Sequence, residues 1–439
     1  MSSSKSNRIQ IAIIGGGITG VILALGLQKR GVDFTLYERA PAFTELGAGI
    51  GFSPNAERAL KIVDPEVYRV YKEVTPPTNG VEYFQFVDGY ETNELVAKLL
   101  IGADAFQGGR RSDFLEAWSK LIPKDRVRFG KELVSTTDRE DGRVLLQFKD
   151  GSTGEADVVI GCDGIHSRCR RLILGEENPA CCASYTNKYC FRALIPMERA
   201  RPVLGEERTS GGSRTLNRYM FIGPDAHCII YPVAKGQIMN VLLVISDPNP
   251  WHTEDGKQTA PGERAEATQT YKEWHPFVKS LIELLPEKLQ KWAIFDMFNN
   301  PAPYYYRGNM AIAGDAAHAT GPHLGSGAGF GIEDGLVLAS LFQAANAKLD
   351  GQDQESRVKL CRAALATYNN VRYDRTQWLV GATREACALF HRQNKAAAHD
   401  PEIFLQDISK LFHTIWDNNI EEMVQEAIGE FDVLGSASQ

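Results

Sequence analysis

The chain has 439 residues, 43% apolar and 23% charged, with a formal net charge of −7. That length allows two or three structural units with ample core, and the composition is ordinary for a soluble globular enzyme. The acidic balance and the lack of a long basic run argue against a nucleic-acid partner, and no other segment reaches the ~18 apolar residues of a membrane helix.

Near the N-terminus, the apolar run Ile11 to Ile14 leads into Gly15-x-Gly17-x-x-Gly20. A second apolar run, Phe34 to Tyr37, then ends at Glu38. Strand, glycine turn, helix, strand and acid form the fingerprint of a dinucleotide site. Gly15 allows the tight turn, Gly17 lets the backbone approach a pyrophosphate, and Gly20 lets the helix pack on the strand. The helix N-terminus offers unpaired N–H groups, and the Glu38 carboxylate can accept from ribose hydroxyls. Lys5 and Arg8 before Ile11 to Leu27 resemble a signal peptide, but the glycines interrupt the run and no small-residue cleavage site follows. Strand and helix are expected there, in a cytoplasmic protein. The motif alone does not decide between NAD and FAD.

Ala48 to Phe52 is small and glycine-rich, and Asn55 to Ile62 has helical spacing. Glu82 to Val87 alternates like a strand. Arg111 to Leu121 reads as an amphipathic helix, and Val144 to Phe148 and Ala156 to Ile160 as strands. From about 181 to 290 the pattern changes. Phe191 to Ile195, Tyr219 to Gly223, His227 to Tyr231 and Met239 to Ile245 read as strands without long helices between them, hence an antiparallel sheet. Pro248 to Gly262 reads as a surface loop. Met310 to Ala313 is a short buried strand. It is followed by glycines, a helix from Gly331 to Asn346, and helical periodicity from Gln354 to about 432. The tail Gly435 to Gln439 is expected to fray. The expected architecture is α/β. A discontinuous Rossmann-type unit takes residues 1–75, 100–180 and 291–360. A β-sheet unit takes 76–99 and 181–290, and a helical region takes 361–439.

The eight cysteines include no C-x-x-C pair, so reduced and mostly buried thiols are expected. No His/Cys/carboxylate cluster has metal-ligand spacing along the sequence.

Two further strands end in acid–glycine turns. Val158 to Gly161 runs into Asp163-Gly164, with Arg168 just beyond. Ala311 to Ala313 runs into Gly314-Asp315, with Pro322 and a glycine stretch following. With the first turn, these resemble the single-component flavoprotein aromatic hydroxylases, the group that includes para-hydroxybenzoate hydroxylase and salicylate hydroxylase. The likeness covers nearly the whole chain. Segments such as Glu45 to Ile50, Phe86 to Tyr90 and Gly223 to His227 resemble fungal salicylate-hydroxylase-like and phenol-dearomatising members.

The resemblance implies tightly held, non-covalent FAD, with NAD(P)H as a transient co-substrate and O₂. Reduced flavin in that family forms a C4a-hydroperoxide that oxygenates an electron-rich ring, and the protein supplies position and electrostatics. It assigns FAD contacts to Gly15, Gly17, Gly20, Glu38, Arg39, Ala48, Gly49, Arg111, Gly314, Asp315, Pro322, Gly325, Gly327 and Ala328. It links Asp163, Gly164 and Arg168 to both FAD and the pyridine nucleotide. Arg192, mid-strand in an apolar setting where an unpaired charge is unfavourable, and Tyr231 match residues that hold a substrate phenolate. His318 and His323, flanking the turn after Asp315, both read first as satisfied structural histidines; the alternative for His323, which matches a histidine near the flavin, is to tune flavin or substrate protonation. No second nucleotide unit is visible, so the nicotinamide is expected at a surface cleft and the flavin is expected to swing between two positions.

The expected substrate is a small phenol, either a salicylate-like hydroxybenzoate or a polyketide-derived hydroxybenzaldehyde, possible dearomatisation included. The chain is expected to be a monomer or homodimer, with no nucleic-acid, membrane or metal partner. A flavin-dependent halogenase or dehydrogenase on the same scaffold is an alternative, although the W-x-W-x-I-P segment of halogenases is absent. A flavin-binding protein without catalysis is another.

Overall fold

The computed structural model describes residues 8–43, 49–75, 82–102, 107–205, 218–253, 257–349 and 353–437. Five parallel strands form the core of the first sheet, in the order Met310–Ile312, Val158–Gly161, Gln10–Ile14, Asp33–Tyr37, Val127–Arg128. Tyr306–Arg307 adds an antiparallel edge. Their apolar runs follow from burial on both faces.

Helix Ile18–Lys29 is buried over most of its length, as is helix Gly327–Ala347 beside it. Neither shows a polar stripe, because each is covered on all sides. They approach closely through small residues. A Cβ on Gly26 would lie 2.9 Å from that of Ala339, and one on Gly335 would lie 3.1 Å from the Leu23 nitrogen.

The second large sheet has eight strands, in the order Thr259–Glu263, Lys288–Asp296, Ser184–Pro196, Ile238–Ser246, Ala226–Val233, Arg218–Gly223, Glu82–Asp88, Leu95–Gly102. One face, with Phe191, Ala193, Phe221 and Ile230, packs with Tyr271, Trp274 and Leu281 from the segments around helices Arg264–Thr270 and Pro276–Ile282. The other face includes Phe84, Phe86, Met220 and Ile222. They pack against Phe390 of helix Gln354–Phe390 and Phe404, Phe412 and Trp416 of helix Pro401–Trp416. The C-terminal aromatics therefore build a core.

Several expectations change. The sheet is not wholly antiparallel, since Arg218–Gly223 pairs with Glu82–Asp88 in parallel. The end of the expected loop 248–262 is an edge strand, Thr259–Glu263, where Pro261 is tolerated because an outer strand leaves N–H positions unpaired. Ala156 to Ile160 divides at Asp157 between two sheets. The glycine-rich approach to Gly331 is already helical from Gly327, and the last helix continues through Gly435 to Ala437. All eight cysteines are free, and only Cys182 is exposed. Among the described residues, no helix is long and apolar enough to cross a membrane.

Candidate active site

A cavity of about 800 Å³ opens at the carboxyl ends of the parallel strands, the usual ligand position in such sheets. Gly15 has φ +103°, and its N–H donates to the Tyr37 carbonyl at 2.8 Å. A side chain on Gly20 would collide with the Gly15 carbonyl, so the helix is pressed onto the turn. A Cβ on Gly17 would meet nothing within 4 Å. The middle glycine faces open space, as pyrophosphate binding requires. Glu38 accepts from Gly16 N at 2.6 Å and Ala40 N at 2.7 Å, which aligns its carboxylate beside the turn. Arg39 is exposed in the lining.

Opposite this turn, Asp163 accepts from Ser167 Oγ at 2.5 Å and from the backbone N–H groups of Arg168 and Cys169 at 2.7 and 3.0 Å. It thus anchors the entry to helix Arg168–Leu174. Burial raises its carboxyl above the ordinary value, against the pull of these donors. Gly164 takes φ +77°. Arg168 donates to the Val134 carbonyl at 2.7 Å and pairs with Glu176.

The third turn rests on a buried ionic cluster. The Gly314 N–H donates to Asp334 Oδ2 at 2.9 Å, and His318 Nε2 lies 2.6 Å from the same oxygen. Arg372 donates to Asp334 at 2.8 Å and to Glu333 at 2.6 Å, while Arg375 and Asn55 complete the Glu333 carboxylate. Glu333, Asp334, Arg372 and His318 are fully buried. Burial works to raise both carboxyls, but Arg372 with Arg375 and Arg372 with His318 outweigh it, and both stay below their ordinary values. His318 is structural, as expected. Gly314 has φ +61°, and a side chain there would strike Thr19. Asp315, next in line, is exposed to the cavity and makes no hydrogen bond among the described residues. Its carboxylate is ready to accept.

Arg111, Asp315 and Ala328 line this cavity and also a second one of about 260 Å³. The smaller cavity lies between Gly49–Gly51, Thr320–Ala328 and the large sheet. Pro322, His323, Gly325 and Gly327 line it, with Gly325 at φ +61°. From the sheet come Arg192, Arg218, Tyr231 and Asn240. Phe84, Met220, Ile229, Leu242 and Phe412 form apolar walls.

Arg192 corrects one expectation. Its apolar sequence neighbours Phe191 and Ala193 point into the opposite layer by strand alternation, and Arg192 itself is exposed toward the cavity. Its guanidinium lies 5.5 Å from the Trp292 ring centroid, so it is seated by stacking, not by burial among aliphatics. Tyr231 is half-buried. Burial raises its phenol above the ordinary value, with Arg192 and Arg218 opposing, so it stays protonated and able to donate at neutral pH. His323 is buried, and burial with the Lys188 and Arg384 cations pushes it down to about 3.

Of the residues assigned from the sequence, the structure puts Gly15, Gly17, Glu38, Arg39, Arg111, Asp163, Gly164, Arg168, Asp315 and Ala328 around the large cavity. It puts Gly49, Arg192, Tyr231, Pro322, His323, Gly325 and Gly327 around the small one. Gly20 and Gly314 stand behind as packing and turn residues. Ala48 lies outside the described residues. Arg218, His227, Asn240 and Phe412 were missed. Asn240 had a cue, as a polar residue inside the apolar run Met239 to Ile245; Phe412 had none.

Two consequences are measurable. Removing the carboxylate in Glu38→Ala or Asp315→Ala deletes charge-assisted bonds of about 1.5–3 kcal/mol each. FAD affinity is therefore expected to fall roughly tenfold to a hundredfold, measured by flavin fluorescence titration of apoprotein. An unchanged Kd would contradict the ribose role. A Cβ on Gly49 would lie 2.7 Å from the Tyr231 hydroxyl and 3.0 Å from Asn240 Oδ1. Gly49→Ala should thus displace Tyr231, raising KM for the substrate more than it weakens FAD. Steady-state kinetics beside FAD titration checks this, and a KM within twofold of wild type would contradict it.

Comparison with known proteins identifies the family. The FAD binding domain family matches residues 111–377. FAD-dependent monooxygenase pigN of Monascus ruber is 43% identical over 436 residues, covering 98% of each chain. Salicylate hydroxylase asL1 of Sarocladium schorii is 38% identical over 456 residues, covering 99% of this chain and 93% of the relative. A solved salicylate hydroxylase substrate complex superposes with a TM-score of 0.81 at 27% identity, covering 96% of this chain and 98% of that one. The open Gly17 face, the aligned Glu38 and the joined cavities fit FAD. The chain belongs to the FAD-dependent monooxygenases of the aromatic-hydroxylase family.

Proposed function

We propose that this enzyme hydroxylates a small phenolic ring held as its phenolate by Arg192 and Tyr231, with NAD(P)H as transient reductant and O₂ as co-substrate. The observation that carries the reading is the small cavity. Its lining holds a guanidinium and a protonated tyrosine together with Gly49–Gly51 and Pro322–Ala328, and it shares Arg111, Asp315 and Ala328 with the large cavity. FAD, when bound and reduced, supplies electrophilic oxygen.

The side chains divide the remaining work. Arg192 lowers the energy of the ring oxyanion, which makes the ring electron-rich, and Tyr231 donates to the same oxygen. Arg218 adds a second cation in the lining, which suits a substrate with an acidic or carbonyl oxygen beside the phenol. His323, held near 3, is neutral at working pH and acts as a hydrogen-bonding imidazole, not as a store for a proton. Phe84, Met220, Ile229, Leu242 and Phe412 exclude water from the reacting centre.

A hydroxybenzoate or a larger hydroxybenzaldehyde fits this chemistry. The first would lose CO₂ on attack at the carboxylated carbon, and the second would be hydroxylated with or without dearomatisation. Free thiols throughout support a reducing, cytoplasmic setting.

The test mixes yellow holoenzyme with NADH or NADPH and a panel of phenols, and identifies products by mass. Gain of one oxygen, with or without loss of CO₂, supports the reading. Absence of phenol-stimulated NAD(P)H consumption across the panel refutes it.

A further inference from the structure

Three donor side chains from distant parts of the chain converge at the wall of the small cavity. His227 belongs to strand Ala226–Val233, His323 to the turn Pro322–Leu324, and Cys387 to the last turn of helix Gln354–Phe390. One donor atom from each lies within 4.8 Å of the other two, and all three residues are buried. His323 Nδ1 is buried and has no hydrogen-bond partner. His227 is oriented from behind. Its Nδ1 lies 2.9 Å from His391 Nε2, and His391 Nδ1 lies 3.0 Å from Ser246 Oγ. If each ring donates outward along that chain, the Nε2 lone pair of His227 is left unprotonated, as in metal-binding histidines steadied by an outer partner. The phenol chemistry makes no use of Cys387, which lines neither cavity.

We propose that His227, His323 and Cys387 form a site for a thiophilic ion of the zinc type, entered through the small cavity, whose occupation blocks phenol binding. Two neutral imidazoles and one thiolate are a suitable three-ligand set for Zn²⁺, with a fourth position left to water on the cavity side. On binding, the Cys387 S–H bond breaks, an S–Zn bond forms and the proton leaves to solvent; nothing is oxidised or reduced. Lys188 and Arg384 act on this cluster, although Arg384 is paired with Asp296 at 2.7 Å. With no carboxylate in the set, Mg²⁺ and Ca²⁺ find no oxygen ligands, and selectivity falls to soft ions.

The binding claim stands apart from the hydroxylase reading; the blocking claim rests on it. Holoenzyme stripped with chelator and desalted is titrated with ZnCl₂ by calorimetry, and bound zinc is counted after gel filtration. One equivalent is expected for wild type, with affinity reduced at least about tenfold in both Cys387→Ser and Cys387→Ala. Each variant is first confirmed folded and yellow. Zinc should raise KM for a phenol in wild type but not in the two variants. Sub-stoichiometric binding, or equal affinity in wild type and both variants, overturns the site. Stoichiometric, Cys387-dependent zinc in a protein that turns over no phenol upholds the site and refutes the hydroxylase reading. Cys387-dependent zinc that leaves phenol turnover unchanged overturns the blocking claim.

Discussion

Arg192→Ala is expected to lower kcat for a phenol on the order of 10²–10³-fold, while FAD affinity stays at the wild-type value. The guanidinium faces the small cavity from the large sheet, whereas the glycine turns and Glu38 lie around the large one. Losing the cation removes the group that favours the ring oxyanion, a loss comparable to deleting one preorganised donor in other oxyanion sites. Arg192→Lys should recover only part of the rate. It keeps the charge but lacks the planar fork and the stacking on Trp292. Stopped-flow hydroxylation with parallel flavin titration measures both quantities. Turnover within twofold of wild type would remove Arg192 from the site.

Arg372→Met is expected to be the most destabilising single change considered, at about 3–5 kcal/mol, because it strands two buried carboxylates. Arg375 would still meet Glu333 and His318 would still meet Asp334, but neither replaces the bond between them. Asp334 also accepts from the Gly314 N–H, so FAD retention should fall with stability. The sign with pH follows. Both carboxyls are held below their unfolded values near 4, so the stabilisation is complete above about pH 4–4.5 and fades as acid protonates them in the folded state. The gap between wild type and variant in denaturation midpoint should therefore narrow on acidification. An unfolding free energy within about 1 kcal/mol of wild type at neutral pH would contradict the cluster's role.

The nucleotide turn was legible because it is local. Gly15, Gly17, Gly20 and Glu38 belong to two adjacent strands and the helix between them. The residue types there leave little freedom, since the backbone itself must take φ +103° and admit a close approach. The lining of the small cavity was legible only in part. Tyr231 and Asn240 are cross-strand partners, as are Arg192 and Leu242, and that register exists only once the sheet has formed. Arg192 is instructive. The alternation of Phe191, Ala193 and Ile195 already carried its facing, yet taken as mere neighbours these residues suggested burial. The ionic cluster was hidden for another reason. Glu333, Asp334 and Arg372 lie on helices where charges ordinarily mark a wet face, and only the stacking of two helices dries them.

Phe412 reaches the small cavity from helix Pro401–Trp416, an element that lines no part of the larger cavity. Selection acting on that one helix can therefore reshape which arenes are admitted without disturbing cofactor retention. A change in scope thus has a route through helix Pro401–Trp416, far in sequence from every glycine fingerprint.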